Sequence, residues 1–180
     1  MNIVYKNIKL RAMELKDQPY LQEMLNDPEI EKMVVGWSFP TSEKQQIDWY
    51  NRVVGDSRNL RFAVEYDGQF VGLSTLVNID WKNRSADHGI KLLSSTPKCK
   101  GIGTAAVTAT MIYAFEELQL NRLYTSILDY NVPSQKLYEK CGWTIEGHYR
   151  QCVFKNNEYH DARFISILRN EYLEWIKKNK

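Results

Sequence analysis

The chain has 180 residues, of which 43% are hydrophobic and 26% charged, with a formal net charge of +2. That length and apolar fraction suit one globular domain over residues 1–180 with its own core, and no second domain is needed. The near-neutral balance excludes the broad basic surface of a nucleic-acid binder, and the longest mostly apolar run, 105–115, is too short and threonine-dotted to span a membrane.

Residues 1–6 lack a signal-peptide pattern. Three cysteines, Cys99, Cys141 and Cys152, show neither paired nor metal-ligand spacing, so a reducing, cytoplasmic compartment and no metal are expected.

The alternation over 3–12 predicts a first strand. Asp17-Gln18-Pro19 followed by Tyr20, Leu21, Met24 and Leu25 predicts an amphipathic helix, and Asp27-Pro28-Glu29 starts a second, short one. Thr41 or Ser42 caps a helix carrying Ile47, Trp49, Tyr50 and Val53, closed near Gly55. Segments 60–66 and 70–79 are strand-like and joined by Asp67-Gly68, a strong hairpin signal, and 85–93 continues the meander.

The segment Lys98-Cys99-Lys100-Gly101-Ile102-Gly103-Thr104 then joins the strand-like 89–93 to a helix-forming run over 104–118. Glycines let a backbone approach a ligand closely, and the unpaired N–H groups and positive dipole end of a helix start favour an anion. The pattern predicts a phosphate cradle, with a plain tight turn as the alternative. A strand at 123–128 completes a βαβ unit, which makes its two strands parallel neighbours.

Next, Asn131 suits a helix cap, Pro133 its first turn and Gly142 its end, so Leu137 and Tyr138 fall inside a short helix. Segments 144–154 and 159–168 flank Lys155-Asn156-Asn157-Glu158 as a closing hairpin, followed by a C-terminal helix. The fold class is α/β (α+β): a mixed, mostly antiparallel sheet of about seven strands, one parallel pair in its middle, helices on both faces.

The glycine loop after one strand and the Asn-capped helix bearing Leu137-Tyr138 after the next resemble the Gcn5-related N-acetyltransferase superfamily. The likeness runs from Ile8-Lys9-Leu10-Arg11 through Val71-Gly72 and Asn83-Arg84-Ser85-Ala86-Asp87 to Glu146-Gly147 and Asp161. Within the superfamily the chain looks like the ribosomal-protein-alanine and spermidine acetyltransferase branch.

The resemblance implies direct transfer of an acetyl group from acetyl-CoA to a primary amine, of a small molecule or a protein N-terminus. It also implies that the parallel strands splay, with the pyrophosphate on the backbone of Lys100, Gly101, Ile102, Gly103 and Thr104 beside Lys98 and Cys99. Amides of Leu92, Leu93 and Ser94 would polarise the acetyl carbonyl, and Asn131 and Ser134 would flank the pantetheine arm. Relatives usually carry Trp-Gly-Lys-Gly or Gln-Gly-Lys-Gly where this chain has Lys98-Cys99-Lys100-Gly101. A homodimer is implied by the resemblance alone.

Such a transfer needs orientation, a partner for the departing thiolate and an exit for the amine proton. The resemblance makes Tyr138 the general acid, since a phenol of pKa about 10 stays protonated at neutral pH and can serve a thiolate whose conjugate acid sits near 8.5. The alternative for Tyr138 is packing, and for Asn131 it is capping. Asp87 matches the branch's acidic residue, Asp for Glu, and is the expected proton acceptor. Strand alternation puts His88 on the opposite face, so one of the two faces the acceptor, and His88 is the other candidate contact.

In the family the acceptor pocket is built from regions equivalent to 26–50 and 149–161, where Trp37 and Phe39, beside Gly36 and Pro40, are the pocket candidates. The acidic pair that spermidine acetyltransferases carry near this loop has no counterpart in 35–40, so an amino sugar, an aminoglycoside-like antibiotic and a protein N-terminus stay open beside a polyamine. The rival reading is a non-catalytic acetyl-CoA-binding sensor or interaction module, which would keep Gly101 and Gly103 and dispense with Tyr138 and Asp87.

Overall fold

The computed structural model of the protein describes residues 2–36, 39–98 and 100–179. Two expected site residues, Trp37 and Cys99, lie outside the described residues.

The alternation at the start of the chain forms two strands, Ile3–Tyr5 (β1) and Ile8–Ala12 (β2), because the chain doubles back at Lys6, whose φ of 53° is left-handed. The Asp67-Gly68 hairpin joins Leu60–Tyr66 (β3) to Gln69–Asp80 (β4) with both turn residues at positive φ, 49° and 81°. Ser85–Leu92 (β5) pairs antiparallel with β4, Arg122–Leu128 (β6) parallel with β5, and Thr144–Lys155 (β7) and Glu158–Leu168 (β8) form the last hairpin. The sheet has eight strands in the order β1-β2-β3-β4-β5-β6-β8-β7. The additional strand over the expected seven comes from the fold at Lys6.

Helices Gln18–Asn26 (α1), Pro28–Glu31 (α2) and Glu43–Val53 (α3) precede the meander. Ser42 caps α3 through a reciprocal box, its hydroxyl accepting from the Gln45 amide at 3.3 Å while its own amide donates to Gln45 Oε1 at 2.9 Å. Helix Ile102–Ile112 (α4) crosses between β5 and β6, and its expected continuation to 118 is a π-helical turn, Tyr113–Glu117. Val132–Lys140 (α5) and Arg169–Asn179 (α6) complete the fold.

The larger core lies between the sheet and α4, α5 and α6, where Leu76, Val107, Met111, Leu123 and Ile167 are fully buried and the Phe115 and Tyr172 rings stack at 4.9 Å. Each such side chain contributes about 1.5–3 kcal/mol. A smaller cluster on the other face, Leu21, Met24 and Leu93 with Leu73 and Trp49, seats α1 and α3. A buried ion cluster braces that side. Arg11 bonds both oxygens of Asp17, at 2.7 and 2.8 Å, and Glu65 Oε1 at 2.6 Å, so the turn before α1 is locked to β2 and β3.

Candidate active site

The parallel strands β5 and β6 pair only at Ser85 with Arg122, Ala86 with Leu123 and Asp87 with Tyr124; beyond Asp87 they part. On its other edge β5 stays bonded to β4 as far as Leu92. The Leu93 amide donates to Val71 O at 2.9 Å, so by antiparallel alternation the amides of Leu92 and Ile90 face the gap. This corrects the expected trio. Leu93 belongs to the β4 edge, and Ser94 lies past the strand in a turn closed by Thr96 N–H to Leu93 O, with its hydroxyl bound to the Asp27 carboxylate. Of the three, only Leu92 turns its amide to the gap.

Gly101 caps α4 at φ 73°, a conformation that L side chains rarely adopt, and the first intrahelical bond runs from Ala105 N–H to Gly101 O at 2.9 Å. The amides of Ile102, Gly103 and Thr104 therefore have no partner within the helix. A Cβ on Gly101 would meet nothing within 4 Å, so open space stands over the cradle. Lys98 and Lys100 are exposed beside it, and Lys6 and Lys140 join Lys100 around an adjoining cavity of about 330 Å³. Free amides, open space and ammonium groups fit a diphosphate.

Tyr138, on α5, is 4% exposed and reaches through the core toward the parting strands. Its hydroxyl lies 2.8 Å from His88 Nδ1, and the Trp143 ring stands edge-on to it at 4.8 Å. Burial pushes the phenol well above its ordinary pKa and drives His88 down to about 3, so both are neutral at physiological pH. His88 Nε2 is buried without a hydrogen-bond partner among the described residues. His88 thus stands behind Tyr138 on the α4 face, fully enclosed, and does not meet the acceptor as expected.

The residues in phase on the other face of β5 are Asp87, Gly89 and Lys91. Asp87 hydrogen-bonds Thr125, and burial, offset by that bond, raises its pKa to about 6. Thr125, Gly89 and Lys91 line a cavity of about 610 Å³ that opens from the strand gap under α1 and α3. Asp87 sits one bond behind that lining. Ser134 and Phe39 also line the cavity, Phe39 at its rim with 67% exposure.

Asn131 caps α5, its Oδ1 accepting from the Ser134 amide at 3.1 Å, while its Nδ2 donates to Met33 O at 2.7 Å. Asn131 lines the cavity, and one N–H and one lone pair of its amide remain beyond these two bonds. The Met33 bond is part of a staple over residues 31–36, of which Met33, Val34 and Val35 line the cavity. Tyr130 Oη donates to Lys32 O, and the buried Lys155 ammonium binds Glu31 O at 2.8 Å, Gly36 O at 3.1 Å and the Glu31 carboxylate.

Three functional candidates escape the sequence reading: Lys155, Lys91 and Gln46. Lys155 looks like a turn residue, and Gln46 like the polar side of α3. Lys91 carries the one readable signal, a charge in phase with Asp87 between Ile90 and Leu92.

A family model described as an acetyltransferase (GNAT) domain matches residues 7–144. The chain is 30% identical over 168 residues to the spermidine N(1)-acetyltransferase of Escherichia coli K12, covering 93% of this chain and 89% of that one. It is also 30% identical over 179 residues to a putative ribosomal N-acetyltransferase of Bacillus subtilis, covering 94% and 95%. The solved spermidine N-acetyltransferase of Vibrio cholerae in complex with CoA and spermine superposes with a TM-score of 0.88 at 28% identity, covering 94% of this chain and 99% of that one. A dodecameric structure of that enzyme superposes at 0.81 with 27% identity, covering 94% and 98%.

Proposed function

The chain belongs to the acetyltransferase (GNAT) family and is an acetyl-CoA-dependent N-acetyltransferase; from that premise we propose that it acetylates a primary amine of a small molecule held in the 610 Å³ cavity. The observation that carries this reading is the parting of β5 from β6 directly after Asp87 and Tyr124, with Tyr138 lining the same space. The cavity is roofed by 33–35 and walled by α1 and α3, which suits a small acceptor more than a protein surface.

Acetyl-CoA supplies an activated thioester. The start of α4 offers its phosphates unpaired amides, and the gap-side amides of Ile90 and Leu92 give its arm and carbonyl a strand edge to bond. Tyr138 keeps its proton at neutral pH and donates its O–H to the departing thiolate. For that O–H to point into the gap, His88 must donate from Nδ1 to the phenol oxygen, which selects the Nδ1–H tautomer and leaves Nε2 as the orphaned acceptor. Asp87, through Thr125, receives the proton that the amine gives up.

Spermidine, named in the relatives, is one candidate amine. Among the described lining residues there is no carboxylate to hold a polycation. We also propose self-association, favoured by Ile145, Tyr149, Phe154 and Tyr159, which stand 48–64% exposed on the terminal hairpin. The dodecameric relative supports an assembly beyond the expected homodimer, and light scattering that finds a monomer at every concentration rejects it.

The decisive experiment is Tyr138→Phe assayed by thiol release. Turnover is expected to fall about a hundredfold or more, with thermal stabilisation by acetyl-CoA retained. An unchanged rate removes Tyr138 from the chemistry; no thiol release from any amine and no stabilisation by acetyl-CoA would remove the activity.

A further inference from the structure

The acceptor cavity holds two polar groups that nothing among the described residues satisfies. Lys91 is largely buried, points into the cavity from β5, and has no hydrogen-bond or ion-pair partner among the described residues. The carboxylate whose field reaches it, Glu31, is already paired with Lys155. Gln46, 2% exposed, lines the same cavity with its Oε1 unpartnered. Its amide cannot usefully turn over: Gln18 Nε2 donates to Glu14 O at 2.9 Å, which leaves Gln18 Oε1 to accept from Gln46 Nε2, also at 2.9 Å.

Resting on the acetyl-transfer reading above, we propose that the acceptor is an amine that also carries a carboxylate, an amino acid or a short peptide, with the carboxylate seated on the Lys91 ammonium. Gln46 Oε1 then takes an N–H of the same molecule. A buried ammonium without a counter-ion is unfavourable, and a ligand carboxylate restores what the protein withholds. Burial and the nearby Lys155 charge both weaken the hold of Lys91 on its proton, a pressure that an arriving anion reverses. Arg52 at the cavity wall adds a second positive charge, so a polyamine would bring its further ammonium groups against like charge. Apolar neighbours Leu21, Met24 and Trp49 suit an aliphatic side chain.

The test compares matched amines in the acetyl-CoA-dependent thiol-release assay: L-leucine, L-leucinamide and 3-methylbutylamine, the corresponding sets for the other common amino acids and for glycyl dipeptides, and spermidine. The best carboxylate member is expected to exceed its amide and its decarboxylated analogue in kcat/KM by roughly ten- to hundredfold. Lys91→Met should bring that ratio close to one, Lys91→Arg should keep most of it, and both should still be stabilised by CoA. A preference for spermidine or for the amides, or an unchanged ratio in Lys91→Met, overturns the proposal and leaves the acetyltransferase standing. If no amine of the panel releases thiol and acetyl-CoA gives no thermal stabilisation, acetyl transfer itself falls. If thiol release alone is absent, the melting shift of the CoA-loaded protein decides the site: a shift with carboxylate members that Lys91→Met abolishes supports it, and no shift overturns it.

Discussion

At the scale of single residues, Asp87 and Tyr138 are pushed by the same force toward opposite uses. Burial keeps the phenol protonated, as the proposed donor role requires, and lifts the Asp87 carboxyl to about 6, closer to neutral pH, as the proposed acceptor role requires. The folded state holds the Asp87 proton more tightly than the unfolded chain does. Stability from this group is therefore greatest in acid and falls as pH rises from about 4 through about 6. Asp87→Asn is expected to raise the melting temperature at pH 7–8 and to erase an acid limb of kcat/KM near pH 6; a melting temperature that drops, with the limb intact, refutes the assignment. Tyr138, Asp87 and Gly101 are legible in the sequence because each stands in a local pattern. Gln46 is not, and for Lys91 and His88 the sequence shows a position on β5 but not the surroundings, which depend on side chains from distant strands and helices.

At the scale of elements, caps and hairpins follow from short-range chemistry, so Ser42, Asn131 and Asp67-Gly68 form as their residue types require. The turn at Lys6-Asn7 has no glycine or proline to announce it, and the π-helical end of α4 has no local marker either. Asn131 links two elements, with Oδ1 on α5 and Nδ2 on the roof at Met33. Asn131→Ala should lower stability by about 1 kcal/mol through the lost cap. Asn131→Asp keeps the cap and loses the clamp, so denaturant melts near the native midpoint should accompany a raised KM for the amine and a steady KM for acetyl-CoA. Equal changes in both constants would place the residue on the cofactor arm instead. Of the expected acceptor region, the 26–50 part supplies cavity-lining residues such as Met33, Phe39, Gln46 and Trp49, but 149–161 supplies none among the described lining residues and acts only through the Lys155 ammonium on Glu31 and Gly36, a contact between residues 124 positions apart that no local pattern announces.

At the scale of the whole molecule, three residue pairs hold β1–β5 to β6–β8 across the middle of the sheet, whereas β3 and β4 or β6 and β8 are paired along their length. The core under α4 supports both halves, but the backbone between them is left unlaced. On the placement proposed above, acetyl-CoA acts as a temporary strand, and each catalytic cycle mends and reopens the protein along that seam. Deuterium uptake should show it: amides of 88–92 should slow their exchange when CoA is added, while those of β3 stay as they were. Uptake that is identical with and without CoA along both lips of the seam would mean that the ligand lies elsewhere.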